Sequence, residues 1–169
     1  MTKMKQNTDT EMKKRGDSKQ ELHISDANSE NYLLILPCSK RKKDLAIGRA
    51  IEIYDGPFYQ ILRKYNKENV DVLILSAKYG LLEGSDIISP YELKMTPEIA
   101  KRLKATTQYR LRTYLRAKNY NRILINLGKT YRSVIDECNF QANNGVKPEF
   151  LEGTIGLRNN RLKKWLREI

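Results

Sequence analysis

Three short apolar runs most constrain how this chain can fold: Tyr32-Leu33-Leu34-Ile35-Leu36, Val70-Asp71-Val72-Leu73-Ile74-Leu75 and Ile123-Leu124-Ile125-Asn126-Leu127. Each suits a buried strand and is too short for a helix that buries one face. Each also breaks at once into polar or glycine-bearing sequence. Pro37-Cys38-Ser39-Lys40-Arg41-Lys42-Lys43 follows the first run, Ser76-Ala77-Lys78-Tyr79-Gly80 the second and Gly128-Lys129-Thr130 the third.

Helical patterns fill the gaps. Residues 46–53 suit a short helix, Tyr54-Asp55-Gly56-Pro57 a turn, and Phe58, Ile61, Leu62 and Tyr65 recur at helical spacing. Thr96-Pro97-Glu98 combines a capping hydroxyl, a first-turn proline and an acid at the helix dipole. The helix it starts is expected to run to about Ala117, with Ile99, Leu103, Leu111, Tyr114 and Leu115 inward. Helices over 131–138 and 160–168 complete the body. Strands separated by helices imply βαβ units. The expectation is one three-layer α/β domain over residues 32–169 with a mainly parallel, Rossmann-like sheet. The loops at Cys38, Ser76 and Gly128 then open on one sheet edge, the usual place for a ligand.

A chain of 169 residues with 40% apolar content supports one modest core. Residues 1–31 have no aromatic and few large aliphatic side chains, so a disordered tail is expected there. That segment carries six basic and six acidic residues, which leaves the whole net charge of +12 on residues 32–169. Such an excess fits an anionic partner. Cys38 and Cys138 make no disulfide framework, no apolar leader opens the chain and no run is long enough to span a membrane. A reducing cytoplasm is expected. His23 is the sole histidine and lies in the tail, and no CxxC pair occurs, so no metal site is expected. Gly128-Lys129-Thr130 lacks the upstream glycine of a phosphate loop, where Ile123 stands, and no cofactor is expected.

Cys38 is the sharpest chemical candidate. Neighbouring cations favour a thiolate, which adds to a nitrile, imine or acyl carbon. The alternative is a small residue packing at a strand end. Ser39 reads as a hydrogen-bond donor beside it. Lys42 and Lys78 occupy equivalent loops and suit a phosphate or carboxylate, or else plain solvation. Tyr79 can stack on a base or pack in the core, Gly80 suits a positive φ, and Gly128 opens the third loop. Asp55, Glu83 and Asp86 are the acids nearest these loops in sequence.

Between Ile99 and Ile135 there are ten Lys or Arg and no acid. Arg102, Arg110, Arg112, Arg116 and Arg122 are interleaved with Tyr109, Tyr114 and Tyr120. Cations for phosphates and rings for bases describe a nucleic-acid surface; the alternative is a solvated face with tyrosines turned inward. Arg161, Lys163, Lys164 and Arg167 extend the basic character into the last helix.

Pro37-Cys38-Ser39-x-x-Lys42 resembles the PCSxxK signature in the catalytic core of archaeosine synthase, which modifies a deazaguanine base in tRNA. Tyr54-x-Gly56-Pro57-x-Tyr59, Leu75-Ser76-Ala77-Lys78-Tyr79-Gly80-Leu81-Leu82 and Pro90-Tyr91 are similar to blocks of a family of small prokaryotic and phage proteins. So are Gly153-Thr154-Ile155-Gly156 and Trp165-Leu166, which extends the resemblance over about Leu33 to Leu166. It implies a catalytic group of Cys38, Ser39 and Lys42, with Tyr54, Ser76, Lys78, Tyr79, Gly80, Tyr91 and Gly128 around a substrate. Lys43-Asp44 follows Lys42 where the synthase has Pro-Tyr, and residues 32–169 have no histidine, so a histidine-dependent step is not carried over.

Two main readings follow, beside a third of a thiol-based stress or redox protein with Cys38 as the reactive group and Cys138 100 positions away. One is a protein that handles a nucleobase or nucleotide, related to base-modifying enzymes of nucleic acid and acting as a transferase or hydrolase. The other is a non-catalytic nucleic-acid-binding module using helix 97–118. The partners expected are RNA or DNA and a small nucleobase or nucleotide, with no membrane.

Overall fold

The three apolar runs lie side by side as parallel strands. The computed structural model describes residues 30–140 and 145–169; the tail expected over residues 1–29 lies outside the described residues. β1 (Tyr32–Pro37) is central, with β3 (Val70–Ser76) on one side and β6 (Arg122–Ile125) on the other. Tyr32 pairs with Val70 and Arg122, and Ile35 with Leu73 and Ile125, so the three strands end together.

Two edge strands escape the sequence pattern. β4 (Gly80–Glu83) returns antiparallel to β3, and β7 (Glu149–Phe150) adds parallel to β6, giving the order β4-β3-β1-β6-β7. The sheet is therefore mostly parallel. A separate ribbon pairs β2 (Gly48–Arg49) with β5 (Ile87–Ile88), which shortens the helix expected over 46–53 to α1 (Ala50–Ile53).

Helices cover both faces, as strand alternation demands. Leu34, Leu36, Val72, Ile74 and Leu124 pack with Leu62 of α2 (Pro57–Tyr65) and with Leu162, Trp165 and Leu166 of α5 (Ile155–Glu168). Leu33, Ile35, Leu73, Leu75, Ile123 and Ile125 pack with Ala100, Leu111 and Leu115 of α3 (Pro97–Ala117). The helix expected over 131–138 is one turn, α4 (Lys129–Arg132), followed by turns that bury Val134, Ile135 and Cys138. α5 begins five residues earlier than the sequence suggested, because the Thr154 hydroxyl accepts from the Leu157 N–H at 3.4 Å.

α3 starts where expected: the Thr96 hydroxyl accepts from the Ile99 N–H at 3.3 Å and Pro97 fills the first turn. Its buried side chains are Ala100, Thr107, Gln108, Leu111 and Leu115, with Ile99, Leu103 and Tyr114 only half-buried at the border. Glu30 and Asn31, at the end of the expected tail, are tied to the body. The Asn31 N–H donates to Asn121 Oδ1 at 2.9 Å, and Asn69 Nδ2 donates to the Glu30 carbonyl at 2.9 Å. Among the described residues no helix is long and apolar enough to cross a membrane.

The face of α3 sets a direct test. Leu111→Ala removes a fully buried side chain from the sheet contact and is expected to destabilise by about 2–5 kcal/mol. Ile99→Ala, at the half-buried border, is expected to lose about 1 kcal/mol. Urea denaturation of both variants measures the difference; equal losses would reject this orientation of the helix.

Candidate functional site

Parallel register makes the cleft. Because β1, β3 and β6 end at one level, Cys38, Ser76 and Gly128 emerge on the same sheet edge. The Cys38 N–H donates to the Leu75 carbonyl at 2.9 Å, which extends the β1–β3 ladder by one rung. The Tyr59 hydroxyl, from α2, donates to the Pro37 carbonyl at 2.8 Å. Cys38 is half-buried, and its Sγ lies 3.1 Å from the Tyr131 hydroxyl of α4.

A chain of hydroxyls lies beside the thiol. Ser76 Oγ accepts from the Lys78 N–H at 3.2 Å and the Tyr79 N–H at 3.0 Å, closing the turn into β4. With both lone pairs engaged, its own proton goes to the Tyr91 hydroxyl 2.6 Å away. Tyr91 then donates onward, and the Tyr54 hydroxyl lies 3.0 Å from it. Ser76 is 0% exposed, so it fixes the network and does not itself face the cleft. Gly80, with φ of 73°, makes the reversal that aligns Ser76 with the edge strand.

Burial sets the protonation of this network. It pushes the Tyr54 phenol up to about 12, against the opposing pull of the nearby Ser76 and Tyr91 hydroxyls. Burial, and behind it the adjacent Cys38 sulfur, hold Tyr91 and Tyr131 well above the ordinary phenol range. Burial does the same to Tyr59. All four are neutral donors at pH 7.

The loop cations do not gather on the thiol as the sequence suggested. Arg41 and Arg63 both pair with Asp55, Arg41 at 2.8 Å. Lys42 Nζ lies over the Tyr91 ring, 4.5 Å from its centre, and Lys78 Nζ approaches the same ring at 5.6 Å. Lys42 also pairs by a backbone bridge with Tyr54. Tyr79 packs edge-on to Tyr91, with its hydroxyl donating to the Ser89 carbonyl at 3.2 Å. Lys42, Tyr54, Ser76, Lys78, Tyr79 and Tyr91 are therefore one cluster.

Two cavities share Cys38, Ser39, Lys40 and Glu92 in their walls. One, of about 540 Å³, is bounded by Gly56, Pro57 and Phe58; the other, of about 510 Å³, by Lys42, Lys94 and Tyr131. Ser39 Oγ donates to the Arg41 carbonyl at 2.6 Å, and a Cβ on Gly56 would stand 2.7 Å from that oxygen, so glycine admits the loop. Glu92 is the carboxylate of this site; Asp55 serves the two arginines, and Asp86 accepts from the Glu83 N–H. Among the described residues no group of three or more His, Cys, Asp or Glu could hold a metal ion.

Gly128 lies apart. It lines a third cavity with Lys129, Arg132, Glu152 and Arg158. Sequence reasoning missed Tyr131, Glu92 and Arg158. Tyr131 was legible in principle, sitting in the first turn after the third strand; nothing local marks Arg158.

The basic helix divides. Arg110 Nη1 donates to the Leu81 carbonyl at 2.6 Å, and Arg122 holds Glu149 with both nitrogens, at 2.8 and 3.1 Å. Lys104 pairs with Glu137 and Lys118 with Asp71, both at 2.7–2.8 Å. The acids missing from the local sequence thus come from elsewhere in the fold. Lys101, Arg102, Arg112 and Arg116 form no ion pair among the described residues. Tyr109 is 68% exposed.

A family profile described as a family of unknown function, DUF6884, matches residues 33–167, and the chain belongs to that family. No match to a curated protein was found. Among solved structures, the crystal structure of AF0587, a protein of unknown function, is similar at a TM-score of 0.50 and 15% identity. The match covers 81% of this chain and 44% of that one, so this chain spans less than half of AF0587, and the likeness speaks for the fold alone.

The tyrosine network predicts alkaline behaviour. A phenol raised from about 10 stabilises the fold fully below pH 10, and that stability is lost as pH rises through the folded value. For Tyr54 the window is pH 10 to about 12. Absorbance at 295 nm should show Tyr54, Tyr59, Tyr91 and Tyr131 ionising together with loss of circular dichroism. Ionisation of all ten tyrosines near pH 10 with the fold intact would contradict this arrangement.

Proposed function

We propose that this chain binds a nucleobase or nucleotide in the cleft above β1 and β3, and that Cys38 adds covalently to an electrophilic carbon of it. The observation that carries the reading is the Cys38–Tyr131 contact of 3.1 Å at the wall shared by two ligand-sized cavities. The mostly parallel sheet supports it, since such sheets take ligands at the edge where the strands end. So does the resemblance of Pro37-Cys38-Ser39-x-x-Lys42 to the archaeosine synthase core.

The chemistry uses the residues present. A carbon–nitrogen multiple bond placed over Cys38 receives the sulfur, forming S–C while the π bond breaks. The thiol proton passes to the Tyr131 oxygen as the Tyr131 proton passes to the substrate nitrogen, leaving the phenol as it began. No histidine base is required. Lys42 offers a point charge in the cleft wall, held over the ring of Tyr91, which with Tyr54 is buried beneath it. The reaction class is transfer or hydrolysis at a nucleobase.

Alkylation of Cys38 by iodoacetamide, followed by intact mass in the presence of a nucleobase and nucleotide panel, tests this. A bound member should protect Cys38, and Cys38→Ser should fold while forming no adduct. Uniform alkylation with every member of the panel would defeat the reading.

One observation favours nucleic acid as the carrier of the base. Arg102, Tyr109 and Arg116 recur every seven residues, so two unpaired cations flank an exposed ring on one stripe of α3, spanning about 21 Å. Replacing Arg102 and Arg116 by Gln should weaken binding of every sequence and reduce the slope of log K against log salt by about 2 on duplex DNA. An unchanged slope would leave the cleft without this surface.

A further inference from the structure

The third cavity, at the end of β6, contains a cation without a counter-charge. Asn126 follows β6 and is fully buried. Its Oδ1 accepts from Arg158 Nε, on α5, at 2.7 Å. Asn126 Nδ2 and Arg158 Nη2 are both buried and donate to nothing among the described residues. Orphan donors are expensive to bury, and Asn159 Oδ1, the buried acceptor on the next residue of α5, is not bonded to either. Burial also lowers the Arg158 pKa, the mark of a guanidinium held without a carboxylate.

The surrounding acids do not answer it. Arg132 takes Asp136 at 3.6 Å and Glu152 at 3.2 Å, so both carboxylates lining the cavity are engaged. Lys129, exposed on the same wall, has no ion-pair partner among the described residues. Gly128 keeps the approach open: the nearest atom to a Cβ built there is Arg158 Nη1, at 4.0 Å. The space measures about 480 Å³. The Arg158 guanidinium also stands 5.2 Å from the centre of the Phe58 ring, and Phe58 walls the Cys38 cavity. Arg158 of one space and Phe58 of the other therefore lie in contact range.

We propose that this cavity is an anion subsite for the phosphate of a nucleotide, with Arg158 and Lys129 as its cations and Asn126 as the residue that orients Arg158. A surplus of donors over acceptors suits a phosphate group, whose oxygens accept from a planar guanidinium and an ammonium together. The nucleotide as carrier rests on the proposed function; the anion subsite does not.

Calorimetric titration of the full chain at constant ionic strength, first with inorganic phosphate, tests the subsite. Arg158→Gln should weaken phosphate about ten- to a hundredfold, and Lys129→Ala, at an exposed position, about threefold to tenfold. Lys101→Ala on α3 should change nothing. Arg158→Lys keeps the charge and loses the fork, so it carries the test where Arg158→Gln does not fold; a loss of about tenfold is expected. Absence of phosphate binding to the parent chain, or an affinity equal to the parent's in the Arg158→Lys and Lys129→Ala variants, overturns the subsite. A nucleoside monophosphate should bind more tightly than either inorganic phosphate or its nucleoside. If it binds no more tightly than phosphate alone, the subsite stands and the nucleotide as carrier falls.

Discussion

The parallel register of β1 between β3 and β6 is the constraint on which the rest depends. It brings three chain exits to one level, and three small contacts hold them there. Cys38 continues the ladder onto Leu75, Asn126 donates its N–H to Ile35 at 2.9 Å, and Tyr59 ties the Pro37 carbonyl to α2. Proline at the end of β1 lacks an N–H to donate, and its fixed φ helps to turn the chain out of the sheet at Cys38. Slipping β1 by one residue would exchange Leu34 and Leu36 with Leu33 and Ile35 between two buried cores. Both faces are apolar, so the alternation alone does not choose the register. The edge contacts do, and they are the contacts that build the cleft.

Charge is managed with the same economy of positions. A loop with four successive cations beside a half-buried thiol would repel itself if left in one place. Asp55 draws Arg41 toward α2 and shares itself with Arg63, while Lys42 settles over Tyr91. Tyr131 is the hydroxyl against Cys38, and the cavity beside it is walled by Lys40, Lys42 and Lys94 with one carboxylate, Glu92.

Much of this was legible locally. The three apolar runs, the Thr96-Pro97 helix start and the positive φ at Gly80 are written in short stretches whose physics needs no distant partner. The edge strands were not. β4 offers only Leu81 and Leu82 between a glycine and an acid, and β2, β5 and β7 have two residues each, too few for any periodicity to register. The charge on α3 misled for a related reason. Asp71, Asp86 and Glu137 reach it from three separate segments, so the helix looks unopposed in sequence while three of the seven cations from Lys101 to Lys118 are paired in space. The convergence of the Cys38 and Ser76 loops follows from strand order, but the Tyr131 hydroxyl at the thiol depends on where α4 begins. Asn126 and Arg158 meet across 32 residues and carry no local signature.

The proton chemistry of the cleft limits what it can do. A buried phenol raised far above neutrality gives up a proton only when it receives another in the same event. Ser76 has both lone pairs occupied, so the order of donation runs outward from Ser76 through Tyr91 and does not reverse without breaking the turn into β4. Under the proposed function this keeps the phenols themselves from stripping a proton and holding it. It leaves addition reactions in which the nucleophile brings its own proton, as a thiol does. A relay through Tyr131 serves that need, because the phenol exchanges one proton for another and its high proton affinity is no obstacle.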